Sequence, residues 1–138
     1  MRAKEFTGGY YLVFEPGDKV IENFTNFCIQ KNINSGVFSG IGAFNFASIG
    51  HYNTVTRRYT INDFNEALEV LNINGNVTLK EKLPFVHMHA MLSDKNMKVI
   101  GGHVTEAEVS VTLEVYLRVF NETLERRFDE KLGLHVIK

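Results

Sequence analysis

The clearest pattern in the chain is a strict alternation over residues 109–120. Val109, Val111, Leu113, Val115, Leu117 and Val119 interleave with Ser110, Thr112, Glu114, Tyr116, Arg118 and Phe120. Successive side chains of a strand point to opposite faces, so this run predicts one long strand with an aliphatic face and a mixed face. Shorter apolar runs predict strands at Tyr10–Phe14, at Val37–Phe44 continuing through Phe46–Tyr52, at Arg57–Ile61 and at Leu68–Ile73, with a turn at Gly75 before Val77–Leu79. One segment has a different period. Val20, Ile21, Phe24, Phe27 and Cys28 recur at three and four residues, which predicts a helix capped by Asp18 and ending near Asn32. Cys28 on that face reads as a packing residue rather than a reactive thiol. Gly40-Ile41-Gly42 lacks the third glycine and following helix of a dinucleotide fingerprint and marks close packing or a bulge. Thr105-Glu106-Ala107-Glu108 reads as a surface loop. One helix and about seven strands predict an α+β fold, a mostly antiparallel β-sheet with a flanking α-helix, over one domain spanning residues 1–138.

Candidate chemistry sits in Phe85-Val86-His87-Met88-His89 and in Gly101-Gly102-His103. Alternation places His87 and His89 on one face of a strand. The run Ser93-Asp94-Lys95-Asn96 is rich in turn formers, so the segment reads as a hairpin returning through Lys98-Val99-Ile100 to His103. A three-residue loop of Asp94 to Asn96 sets Ser93 against Met97 and His87 against His103, with Asn96 taking the left-handed position that such loops require. A two-residue loop would turn His103 to the opposite face. In the favoured register three imidazoles converge, and neutral imidazoles in that number suit a divalent first-row ion, zinc above all. Strand alternation alone would also align two packing or interface histidines, so it is the third that favours an ion. Glu114, on the mixed face of its strand, is a candidate to orient a metal-bound histidine or act as a general base; the alternative is an interface or surface salt bridge. His51 and His135 have no spaced partner and read as solvent-side residues.

Charge narrows the choice of partner. With 15 basic and 16 acidic residues the formal net charge is −1, so no net field draws the chain toward a phosphate backbone. The basic pairs Arg57-Arg58 and Arg126-Arg127 lie beside acidic neighbours and read as solvated faces. Met1-Arg2-Ala3-Lys4-Glu5 leads into no apolar signal core and no run is long enough to cross a bilayer, so a cytoplasmic location without membrane association is expected. One cysteine allows no internal disulfide.

Six ordered segments resemble the plants-and-prokaryotes-conserved (PPC) domain: Ser39-Gly40-Ile41-Gly42-Ala43, the run from Leu68 to Val77, Phe85–His89, Ser93-Asp94, Ile100-Gly101-Gly102-His103-Val104, and Val111-Thr112-Leu113-Glu114-Val115. The closing Arg126-Arg127-Phe128-Asp129 and Leu132-Gly133-Leu134 are similar to its bacterial single-domain branch. The resemblance implies an antiparallel sheet with flanking helix, a homotrimer, and a histidine cluster able to hold a metal ion, the matching residues being His87, His89 and His103. It also implies a candidate DNA-binding role, inherited from plant nuclear members whose Arg-Gly-Arg-Pro hooks lie outside the domain. This chain has no such hook. Two functional classes therefore stand. The first is a homotrimeric binding module with a three-histidine zinc site and a DNA-associated or regulatory role, any direct DNA contact being weak. The alternative is a metal-dependent enzyme of hydrolase or lyase type acting on a small molecule, against which the same strands offer no unambiguous general base and no substrate-positioning arginine.

Overall fold

A computed structural model describes all residues from Met1 to Lys138. Nine strands and one helix follow the order β1 (Arg2–Phe6), β2 (Gly9–Phe14), α1 (Val20–Gln30), β3 (Gly36–Asn53), β4 (Arg58–Phe64), β5 (Leu68–Lys80), β6 (Leu83–Ser93), β7 (Val99–Val119), β8 (Glu125–Asp129) and β9 (Leu134–Ile137). The chain is thus mostly β with a single helix. All strands belong to one mixed sheet. Every ladder is antiparallel except a short parallel one, in which Leu79 and Lys80 of β5 pair with Glu125 and Arg126 of β8. The ladders β3–β5, β5–β6, β6–β7 and β7–β3 form a closed circuit, so the sheet curls back on itself around the core. No helix is long and apolar enough to cross a membrane.

The aliphatic face of the long alternation is the inner one. Val109, Leu113, Val115 and Leu117 are buried, Val119 is half-buried, and Val111 is 67% exposed. They meet Leu12 and Phe14 of β2 and the face of α1 formed by Val20, Phe24, Phe27 and Cys28, all buried. Phe24 joins the layers, its ring centroid 4.9 Å from that of Phe38 on β3 and 6.0 Å from that of Phe14. Cys28 is fully buried and its thiol is pushed up to about 12 by desolvation, in keeping with a packing role.

Several elements depart from the sequence-based expectations. The helix begins after Lys19, and Asp18 does not cap it. Asp18 instead accepts from the Glu15 amide and the Asn23 side chain and pairs with the terminal ammonium of Met1 at 2.8 Å. The cap comes from far along the chain: Glu106 Oε1 accepts the Ile21 amide at 2.8 Å and Oε2 the Glu22 amide at 3.3 Å. A carboxylate there satisfies otherwise unpaired amides and faces the positive end of the helix dipole. Residues 105–108 are therefore no loop but the middle of β7, which runs unbroken from Val99 to Val119. Gly75 makes no turn. It sits inside β5 because a side chain would strike the opposing strand: a Cβ built there would lie 1.9 Å from the His87 carbonyl oxygen and 2.6 Å from Cζ of Phe38. Strands β1, β8 and β9 were not anticipated, since Arg2–Phe6 is exposed throughout and Glu125–Asp129 carries no apolar alternation. The glycines at 40 and 42 do flank a bulge, where pairing with β5 shifts register.

Candidate metal centre

The histidine site grows from the alternation of β6. Val86, Met88 and Ala90 point inward and are buried, which turns Phe85, His87, His89 and Met91 outward. The hairpin to β7 is longer than the three-residue loop expected. Ser93 pairs with Val99, so five residues, Asp94 to Lys98, form the connection. Asp94 organises it: its side chain accepts the amides of Asn96 at 2.8 Å and Lys98 at 2.9 Å, while its carbonyl accepts that of Met97. The left-handed residue is consequently Met97 (φ 61°), not Asn96. His103 lies opposite His89 rather than His87. The register moves by two residues, an even number, so His103 keeps the face it was expected to have.

His87, His89 and His103 thus form a nearly equilateral triangle, with ring centroids 5.3 Å (87 to 89), 5.2 Å (87 to 103) and 5.5 Å (89 to 103) apart. One nitrogen from each ring falls within 4.8 Å of the other two. Around a tetrahedral ion with nitrogens at ~2.0 to 2.1 Å, donors lie roughly 3.3 Å apart, a gap that small rotations of the rings close. The donor set fits an ion on two further grounds. Nδ1 of His103 is buried without any hydrogen-bond partner, a costly arrangement that a ligand at this face relieves. Burial also lowers the imidazolium pKa of His87 to about 4, helped by the positive charge of Arg126, and lowers that of His103. Both rings are therefore neutral at pH 7, the form that binds metals. His89 is the exposed member.

Sequence reasoning missed Arg126. It was read as half of a solvated basic pair, yet it is half-buried against the triangle, its Nη2 3.2 Å from Nδ1 of His87. It also donates to Oδ1 of Asn76 at 2.7 Å, Oγ1 of Thr78 at 2.9 Å and the His135 carbonyl at 3.2 Å. A guanidinium can only donate, so Nδ1 of His87 accepts. This contact competes with an ion through either ring nitrogen: Nδ1 would have to surrender its lone pair, and ligation by Nε2 would place a proton on Nδ1. The signal available in the sequence was the polar set Asn74, Asn76 and Thr78 alternating with Ile73, Gly75, Val77 and Leu79. Asn74 and Asn76 pair with His89 and His87, which extends the polar face across β5.

The remaining candidates lie elsewhere. Glu114 stands toward the far end of β7, where its Oε2 accepts the Tyr11 hydroxyl at 2.7 Å, and it is not brought to the histidines. His51 is exposed, as expected. His135, expected at the solvent side, is half-buried beside Phe128 at 5.3 Å between ring centroids. Arg57 donates to the Glu130 carbonyl, and Arg127 lies 3.8 Å from Glu125. Tyr59 completes the site wall, its ring over Gly50 and 5.2 Å from that of His103.

Comparison with known proteins accords with this architecture. A protein from Archaeoglobus fulgidus described as metal-containing is 33% identical, with 99% of this chain and 95% of that one aligned at a TM-score of 0.88. A plant- and prokaryote-conserved protein from Pyrococcus horikoshii is 28% identical over 99% and 93% of the two chains, with a TM-score of 0.89. A candidate DNA-binding protein from Bacteroides thetaiotaomicron shares the fold at a TM-score of 0.96 and 23% identity, over 99% of this chain and 96% of that one. No curated protein matches. The family model of the Plants and Prokaryotes Conserved (PCC) domain, the PPC domain of the resemblance above, matches residues 1–121, and the chain belongs to that family.

Proposed function

We propose that the chain is a one-domain, homotrimeric metal-binding module whose His87, His89 and His103 hold one divalent ion, zinc by preference. The observation that carries this reading is the triangle itself: three imidazoles face one another, and one has a buried nitrogen with no partner in the protein. The metal-containing relative from Archaeoglobus fulgidus supports it. Elemental analysis of protein purified without a histidine tag, before and after chelation, tests it. About one divalent ion per chain is expected, and protein that takes up none from a zinc-containing buffer ends the proposal.

The trimer is what the family resemblance implies, and the outer face of the sheet supports an interface. Val37 and Ile41 on β3 and Val111 and Tyr116 on β7 are 44%, 60%, 67% and 61% exposed, an apolar group across two paired strands. Faces of this kind mark interfaces, and closed cyclic symmetry is the usual way to cover them. Light scattering coupled to size exclusion is expected to give three times the 15.7 kDa of one chain. A mass of one chain at micromolar concentration refutes the trimer.

A DNA-associated or regulatory role is the companion reading for such a module, and the Bacteroides relative is described as a candidate DNA-binding protein. Direct contact with duplex is expected to be weak. Net charge is −1, Arg126 is engaged at the histidine site, and Arg57 and Arg127 already have partners. Anisotropy should give a Kd of roughly 10⁻⁴ to 10⁻⁶ M at physiological salt, with affinity lost as salt rises. Nanomolar sequence-selective binding would place DNA recognition first.

The second reading, a metal-dependent enzyme of hydrolase or lyase type, gains from the cleft beside the triangle. A three-histidine zinc site with an open position supplies Lewis acidity and a water acidified to a pKa near 7. Around it, this chain contributes Arg126 as a fixed positive group and Tyr59 and Phe85 as walls.

A further inference from the structure

Beside the triangle is a cleft of about 290 Å³ lined by His87, His103, Phe85, Tyr59, Arg126 and Lys80, among others, and no aspartate or glutamate lines it. Its two permanent cations flank one aromatic ring: Lys80 Nζ lies 5.5 Å and Arg126 Cζ 5.3 Å from the centroid of Phe85. The seven ion pairs of the chain include neither residue. Arg126 is held only by neutral acceptors, namely Asn76, Thr78, the His135 carbonyl and His87, which leaves one N–H on Nη1 unused. A half-buried guanidinium and an ammonium gathered on one ring, neither in an ion pair, are unfavourable in the free protein. An anion entering the cleft removes that cost, and the arginine is already fixed in place to receive it.

We propose that this cleft binds a small organic anion: an acidic head group held by Arg126 and Lys80, and a hydrocarbon or aromatic body lying against Phe85 and Tyr59. Size restricts the class. At about 290 Å³ the cleft lies at the small end of the roughly 300 to 1,000 Å³ usual for ligand pockets, which favours a small acid. The proposal deepens the metal reading by naming what the same site would take, but the anion's holders are Arg126 and Lys80 and not the ion. Each can therefore fail alone.

Calorimetric titration with benzoate, its neutral isostere benzamide and inorganic phosphate, on zinc-free and zinc-loaded protein, separates the possibilities. Benzoate is expected to bind zinc-free protein at least ten-fold more tightly than benzamide, and more tightly than phosphate, which has the charge without the body. Lys80→Met should weaken benzoate about three- to ten-fold and leave benzamide unchanged, and Arg126→Gln should weaken it further. If Arg126→Gln does not fold, Lys80→Met decides, because the Lys80 side chain makes no hydrogen bond in the fold. Equal binding of benzoate and benzamide overturns the proposal, as does benzoate affinity unmoved by Lys80→Met. Phosphate binding as tightly as benzoate overturns the organic body. Benzoate bound only by zinc-loaded protein puts the anion on the metal and overturns the assignment to Arg126 and Lys80. Zinc-free protein that binds benzoate but never takes up zinc fails the metal reading and keeps this one.

Discussion

Loading zinc onto chelator-treated protein is expected to raise its Tm by roughly 12 to 20 °C when free zinc stands about a thousand-fold above Kd, a stabilisation of about 4 kcal/mol. The magnitude follows from mass action, since the folded chain presents three converging imidazoles and the unfolded chain presents them separately. Replacing any one of His87, His89 or His103 with Ala removes a direct ligand. The loss of affinity should exceed the roughly 10- to 100-fold that accompanies removal of a ligand's hydrogen-bond partner. The apo Tm of the His89→Ala variant should stay near wild type because His89 is exposed, which separates lost metal binding from lost folding. Equal metal content in the triple alanine variant and in wild type would show that the ion sits elsewhere.

Gly75→Ala is expected to be the most damaging conservative substitution in the chain. Its new Cβ meets backbone, the His87 carbonyl oxygen at 1.9 Å, so no side-chain rotation relieves the clash. Removing a glycine limits the unfolded chain and stabilises by about 0.4 to 1 kcal/mol where the site has room. Overpacking costs about 1 to 3 kcal/mol and occasionally more, so the clash wins. The strands must part where Gly75 pairs with Met88, next to His87. The variant should therefore lose about 3 kcal/mol in denaturant unfolding and lose zinc affinity as well, although residue 75 touches no metal. Wild-type stability together with wild-type zinc uptake would show that β5 and β6 can separate locally at no cost.

The parts of the fold that local pattern controls were legible in the sequence. The alternation over residues 109–120 and the helical period through Val20, Phe24 and Phe27 reflect burial of one face, and the structure places those faces inward. Gly75 and residues 105–108 misled for one physical reason. A glycine admitted by a close carbonyl and a carboxylate that caps a helix contacted 84 residues away look, in one dimension, like a turn and a polar loop. The histidine triangle survived an incorrect loop because the error in register was even. Arg126 was hidden because its partners come from β5, β6 and β9, and a tertiary constellation leaves only a faint trace in sequence, here the polar alternation of Asn74, Asn76 and Thr78.

The short β5–β8 ladder gives the two halves of the site different lifetimes. The histidines stand on β6 and β7, members of the closed circuit, whose amides exchange with solvent only when much of the sheet opens. Arg126 stands on β8, a hairpin with β9 joined to that circuit through two residue pairs. Fraying of this hairpin breaks the two β5–β8 pairs together with the bonds of Arg126, Arg57 and Tyr52, still fewer than opening the circuit requires, so it is expected to open more often than the circuit. Each excursion withdraws the guanidinium from Nδ1 of His87 and uncovers the cleft while the three imidazoles keep their spacing. Slow amide exchange in β6 and β7 alongside fast exchange in β8 and β9 is the expected signature.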